Sequence, residues 1–129
     1  MHDHTRRSVP ALLAVAAAAL LAACGDEGPV SGPGTFTATL LSPNGAEGSA
    51  HVALYGAGLG AVGELDGRVF SHHTGDTLRV VVVNLDGGTL RFTVSVADTT
   101  RPPVGAVLEV ADTEDRLRAL AGYALELTR

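Results

Sequence analysis

The chain has 129 residues, 46% apolar and 18% charged, with five aromatic side chains and no tryptophan. That suits one small domain, excludes a multidomain enzyme and argues against wholesale disorder. Residues 24–129 carry 13 acidic and 7 basic side chains, net −6, so the body is too acidic to track nucleic-acid phosphates.

The mean hydropathy of +0.25 owes much to one N-terminal run, Val9 to Ala23. Arg6 and Arg7 give a positive start, and Val9 to Leu21 is an apolar run of 13 residues broken only by Pro10. A spanning helix needs about 20 apolar residues, so this run predicts the core of a secretory signal peptide. It ends in Leu21-Ala22-Ala23-Cys24, small side chains before the only cysteine in the chain. This resembles the lipobox of bacterial lipoproteins. The resemblance implies cleavage between Ala23 and Cys24 and a diacylglyceryl group on the Cys24 sulfur. Acyl chains contribute about 0.8 kcal/mol per buried CH₂, so two or three anchor firmly without a spanning helix. The lipid bilayer is therefore the first expected partner, and the cell envelope, periplasmic or outer surface, the expected location. Thr5-Arg6-Arg7-Ser8 also resembles a twin-arginine export signal. With Cys24 acylated, no thiol remains for a disulfide.

Residues 24–34 follow as a tether. Gly25 to Gly34 hold four glycines and two prolines, a composition that buries nothing and spans roughly 16–19 Å.

From residue 35 the pattern is that of strands. Thr35 to Leu41 alternates, with Phe36, Ala38 and Leu40 on one face and three threonines on the other. Ser42-Pro43-Asn44-Gly45 predicts a turn, and Ala50 to Tyr55 a second strand. Gly56 to Gly67, with five glycines, predicts a loop with a short extended piece. Arg68 to His72 is a short strand, and Gly75 turns the chain into Thr77 to Val83. There the unbroken run Val80 to Val83 predicts a strand covered on both faces. Asn84 to Gly88 predicts a hairpin turn. Thr89 to Ala97 alternates best, with Leu90, Phe92, Val94 and Val96 inward. Pro102-Pro103 marks a loop, Ala106 to Ala111 a strand, and Asp112 to Leu120 a short helix capped by Asp112. Tyr123 to Thr128 closes the chain. Seven short strands with no long helix predict an all-β domain over residues 35–129, a single antiparallel β-sandwich, immunoglobulin-like or a cohesin-like jelly roll.

The order Gly67-Arg-Val-Phe70, Gly75-Asp-Thr-Leu-Arg-Val-Val-Val-Val83, Gly88-Thr-Leu-Arg-Phe92-Thr-Val-Ser-Val96 and Gly122-Tyr-Ala-Leu-Glu-Leu127 resembles cohesin-type domains and related carbohydrate-binding-module sandwiches. The resemblance is one of pattern and spans residues 35–128. It implies binding or scaffolding, with an envelope protein or a glycan as partner.

Candidate chemistry is sparse. His72 and His73 precede Asp76, but neighbouring strand residues point to opposite faces and cannot both reach one metal. In a turn they converge, with His51 as a further ligand. Asp112, Glu114 and Asp115 offer oxygens, with Asp98 a fourth, but the EF-hand pattern is absent and a capped acidic loop accounts for them. Ser42, Ser49, Ser71 and Ser95 lack a nucleophile elbow. Gly56-x-Gly-x-Gly60 is no phosphate loop, because the chain has no lysine. Phe36, Phe70 and Phe92 fall in strand patterns as core, which leaves Tyr55 and Tyr123 as platforms for a sugar. No catalytic residue, metal ligand or cofactor is expected. The alternatives are a metal-dependent or hydrolytic activity around His72, His73 and Asp76, or carbohydrate binding.

Overall fold

A computed structural model describes residues 31–129. The signal peptide, Ala23, Cys24 and the tether up to Val30 lie outside the described residues. Eight strands follow one another: β1 (Gly34–Leu41), β2 (Glu47–Tyr55), β3 (Leu59–Asp66), β4 (Arg68–Thr74), β5 (Thr77–Gly88), β6 (Arg91–Val96), β7 (Val104–Ala111) and β8 (Ala124–Thr128). They form two four-stranded sheets, β3-β6-β1-β8 and β4-β5-β2-β7, antiparallel throughout. The domain is an all-β sandwich. Its pairs β1·β8, β2·β7, β3·β6 and β4·β5 nest first with last, as when one long hairpin is rolled up on itself.

Alternation decides which side of each strand is buried. Phe36, Ala38 and Leu40 of β1 meet Phe92, Val94 and Val96 of β6 on one sheet. Ala50, Val52 and Leu54 of β2 meet Leu78, Val80 and Val82 of β5 on the other. These two rows form the core between the sheets. The outer face of the β1 sheet is hydroxyl-rich, with Thr37 opposite Thr93 on one side and Thr128 on the other.

At one end Gly67 carries the chain from β3 to β4, from sheet to sheet, at φ +97. A Cβ there would run into the Val83 carbonyl, so only glycine makes this crossing without displacing β5. The opposite end holds the Gly75 turn and the start of β1 at Gly34, where Gly34 pairs with Val96.

Four expectations are corrected. Leu59–Asp66 is a full strand, because Gly60 and Gly63 let it lie close over Ser95 and Thr93. Among the described residues no helix forms, and Asp112 to Leu120 is a turn and a return strand with one bridge, Ala111 to Leu117. Asp115 at φ +62 breaks the helical path. Val81 and Val83 face outward and are only half-buried, so one face of that valine run is open. Asn84 to Gly88 is the end of β5 rather than a hairpin turn.

Candidate functional site

The β4–β5 hairpin is where the fold departs from burying its apolar residues. Its ladder runs without a break from Arg68↔Val83 to Thr74↔Thr77. The turn is held by Gly75 at φ +58 and by the Asp76 carbonyl, which accepts the Gly56 N–H at 2.9 Å. Directly opposite residues share a face, so Arg68, Phe70, His72 and Thr74 stand outward beside Val83, Val81, Arg79 and Thr77. Phe70, expected in the core, is 56% exposed on this outer face.

Beyond Val83, β5 is bulged against β2. Ser49 pairs with Val83 and Glu47 with Gly88, so five steps of β5 answer two of β2. The excess residues form a shaped protrusion. Asn84 Oδ1 accepts the Asp86 N–H at 3.3 Å, and Gly87 takes φ +76. Bulges re-aim side chains, and this one turns Leu85 to solvent, 82% exposed. Leu85, Phe70, Arg68 and Val83 border a shallow hollow of about 440 Å³ with Gly67, Asn84 and Asp86. Further along the hairpin, His72, Thr74, Thr77 and Arg79 border a second of about 410 Å³.

Charge follows the same geography. Arg91 pairs with Asp66, Arg101 with Asp98, Arg116 with Asp112 and Glu114, and Arg118 with Glu47. Arg129 donates to the Thr99 hydroxyl. Among the described residues, Arg68 and Arg79 make no ion pair, and both are exposed on the β4–β5 hairpin.

The histidines of the alternative, metal-dependent reading are set apart. His72 pairs with Arg79 on the outer face and His73 with Leu78 on the inner one, so their side chains diverge. His51 lies on β2, across β5 from Phe70. Among the described residues no three His, Cys, Asp or Glu side chains are placed to hold a metal ion. Asp98 and Asp112 sit in loops at opposite ends of the sandwich. Asp98 accepts both the hydroxyl and the amide of Thr100, which hold its carboxyl below the ordinary value. Asp112 Oδ1 accepts the amides of Arg116 and Glu114, led by Arg116, and its carboxyl is lowered likewise. Glu114 pairs with Arg116 at 3.0 Å, and Asp115 supplies only a backbone bond to the Asp112 carbonyl.

Of the two tyrosines, Tyr55 is exposed at the Gly75 end, opposite Thr77 and Val104. Tyr123 is occupied, since its hydroxyl bonds Glu47 and Asn44. The sequence pointed to neither Phe70 nor Leu85. Leu85 did leave a trace, an aliphatic residue inside what otherwise spelled a polar turn.

Neither family models, curated proteins nor solved structures match this chain.

Proposed function

We propose that the chain is a lipid-anchored, non-catalytic binding module of the bacterial cell envelope, held through acylated Cys24 and binding with the outer face of the β4–β5 hairpin. The anchor rests on Leu21-Ala22-Ala23-Cys24 after a short apolar run. The binding role rests on one observation. A bulge holds Leu85 in solvent next to exposed Phe70, beside Arg68, which makes no ion pair, where folding alone would bury or replace such residues. Aromatic and arginine side chains are the commonest anchors of protein interfaces.

Two measurements test the two halves separately. Mass spectrometry of the membrane fraction should show an acylated Cys24 as the mature N-terminus, and Cys24→Ser should release the protein. An unmodified, soluble chain starting elsewhere would remove the anchor from the proposal. Crosslinking in intact cells should then give a discrete adduct with the natural chain and lose it with Phe70→Ser or Leu85→Ser. Equal adducts from all three would place binding elsewhere.

A further inference from the structure

We propose that the β4 edge is a strand-addition site for an extended polypeptide that alternates acidic and apolar residues. This rests on the binding reading above and names the partner class for that face.

Four strands lie at sheet edges, β3, β8, β4 and β7. Exposed edges invite pairing, and proteins blunt them with bulges, proline or shortness. Three are blunted here. β3 breaks register twice against β6, β7 is bulged opposite His51 and Val52, and β8 has five residues. β4 alone is seven residues long with a continuous ladder and no proline. Its backbone direction is fixed by Val69, whose N–H turns away from β5 to the Glu64 carboxylate at 3.1 Å. In an antiparallel ladder every second residue does the same, so the amides of Ser71 and His73 also point outward. Both residues are exposed, and among the described residues neither amide has a partner.

An added strand would lay alternate side chains on the outer face beside Phe70 and His72, within reach of Leu85. The apolar pair calls for apolar residues, and charge supplies the rest. The hairpin, residues 68–88, balances Arg68 and Arg79 against Asp76 in the turn and Asp86 in the protrusion, whereas the rest of the body has 11 acidic and five basic side chains. On the outer face of the ladder itself the charged side chains are Arg68 and Arg79, beside His72, so that face is the cationic exception, with Glu64 the one carboxylate bonded at its edge. A second copy of this chain would set Arg68, His72 and Arg79 near their own images, so like charges oppose an edge-to-edge dimer. A bilayer presents no extended backbone to pair with the edge. A glycan has no row of amides and carbonyls to match the edge.

The full chain is titrated with two probes, a ten-residue peptide alternating valine and glutamate and its valine–lysine counterpart. Amide hydrogen exchange is followed residue by residue. Protection of Ser71 and His73 by the glutamate peptide, weakened at least tenfold by Phe70→Ser or by Arg68→Ser with Arg79→Ser, supports the proposal. So does loss of binding at high salt. Leu85→Ser, in the protrusion rather than the ladder, checks that lost binding is not lost folding. Equal protection by both peptides, protection at β7 or β8 instead, or none at all overturns it. Protection of the same amides without peptide, rising with protein concentration, also overturns it in favour of a second copy. None of these outcomes depends on whether Cys24 is acylated or a crosslinked adduct forms, so this inference can fail while the binding-module reading stands.

Discussion

The Tyr123 hydroxyl donates a 2.8 Å hydrogen bond to Oε2 of Glu47, a carboxylate only 1% exposed. Arg118 pairs with Oε1 of the same group at 3.1 Å, and Asn44 Nδ2 donates to the Tyr123 oxygen at 2.8 Å. Four residues thus fasten the crossing between β7 and β8 to the start of β2. A buried charge survives only when its oxygens are satisfied, which these contacts achieve.

Tyr123→Phe keeps the ring but strips one donor from the buried carboxylate. It should cost about 1–3 kcal/mol in chemical denaturation, the usual penalty for an orphaned buried acceptor. Glu47→Gln should cost less in the Tyr123→Phe background than in the natural chain, because the bond between the two is already gone. A double variant whose cost equals the sum of the two single costs would show that the pair is uncoupled.

Phe92 is buried on β6, and its neighbour Thr93 faces outward opposite Thr37. Phe92→Ala should cost roughly 3–5 kcal/mol and Thr93→Ala well under 1. Similar values at the two positions would mean that the faces of β6 are assigned the wrong way round.

Strands with regular alternation were legible in the residues. β1, β6 and β8 were found within a residue or two of their observed limits, because a half-buried strand must alternate. β3 was hidden because glycine contributes nothing to a periodicity. Yet glycine is what the strand requires, since a Cβ on Gly60 would stand 2.7 Å from Ser95 Oγ. The Asp112 segment misled in a different way. The capping bonds from Glu114 and Arg116 did form, but they close a turn, and Arg118 N–H goes on to the Val110 carbonyl as in a strand. Capping chemistry alone does not distinguish the two outcomes. The candidate surface was the least legible part, because a phenylalanine in a strand pattern is ordinarily core.

Acid should weaken the fold through Asp98 and Asp112. Both carboxyls are lowered in the folded chain, the first chiefly by the Thr100 hydroxyl and the second chiefly by the Arg116 amide. A lowered folded value means fewer protons bound than in the unfolded chain. The stabilisation is then complete above the ordinary carboxylate range, about pH 4 for aspartate, and is lost as pH falls through the folded values. Urea midpoints should drop across that window, and Asp98→Asn with Asp112→Asn should flatten the drop. An unaltered pH profile in the double variant would assign acid sensitivity to other groups.

Metal should leave stability untouched. His72 and His73 diverge across β4, so zinc finds no convergent pair there. Binding to the native state at 100 times the dissociation constant would add about 2.7 kcal/mol, several degrees in a domain this small. Thermal unfolding with zinc, with calcium and with chelator should give one midpoint. A rise abolished by His72→Ala would reopen a metal site on the hairpin.

Rolling the first strand against the last has a consequence for how the chain acquires its shape. Thr37 meets Thr128, and Val52 meets Val107, so these contacts wait until nearly all of the domain has been made. Pairings so distant along the chain place the domain among the slower small folders, in the millisecond-to-second range. An N-terminal fragment ending before Ala124 leaves β1 without one neighbour and exposes the β1 sheet as a new edge, an invitation to aggregate during synthesis. A chain made from its N-terminus can therefore pair six of its strands early, but neither sheet is complete until β7 and β8 arrive.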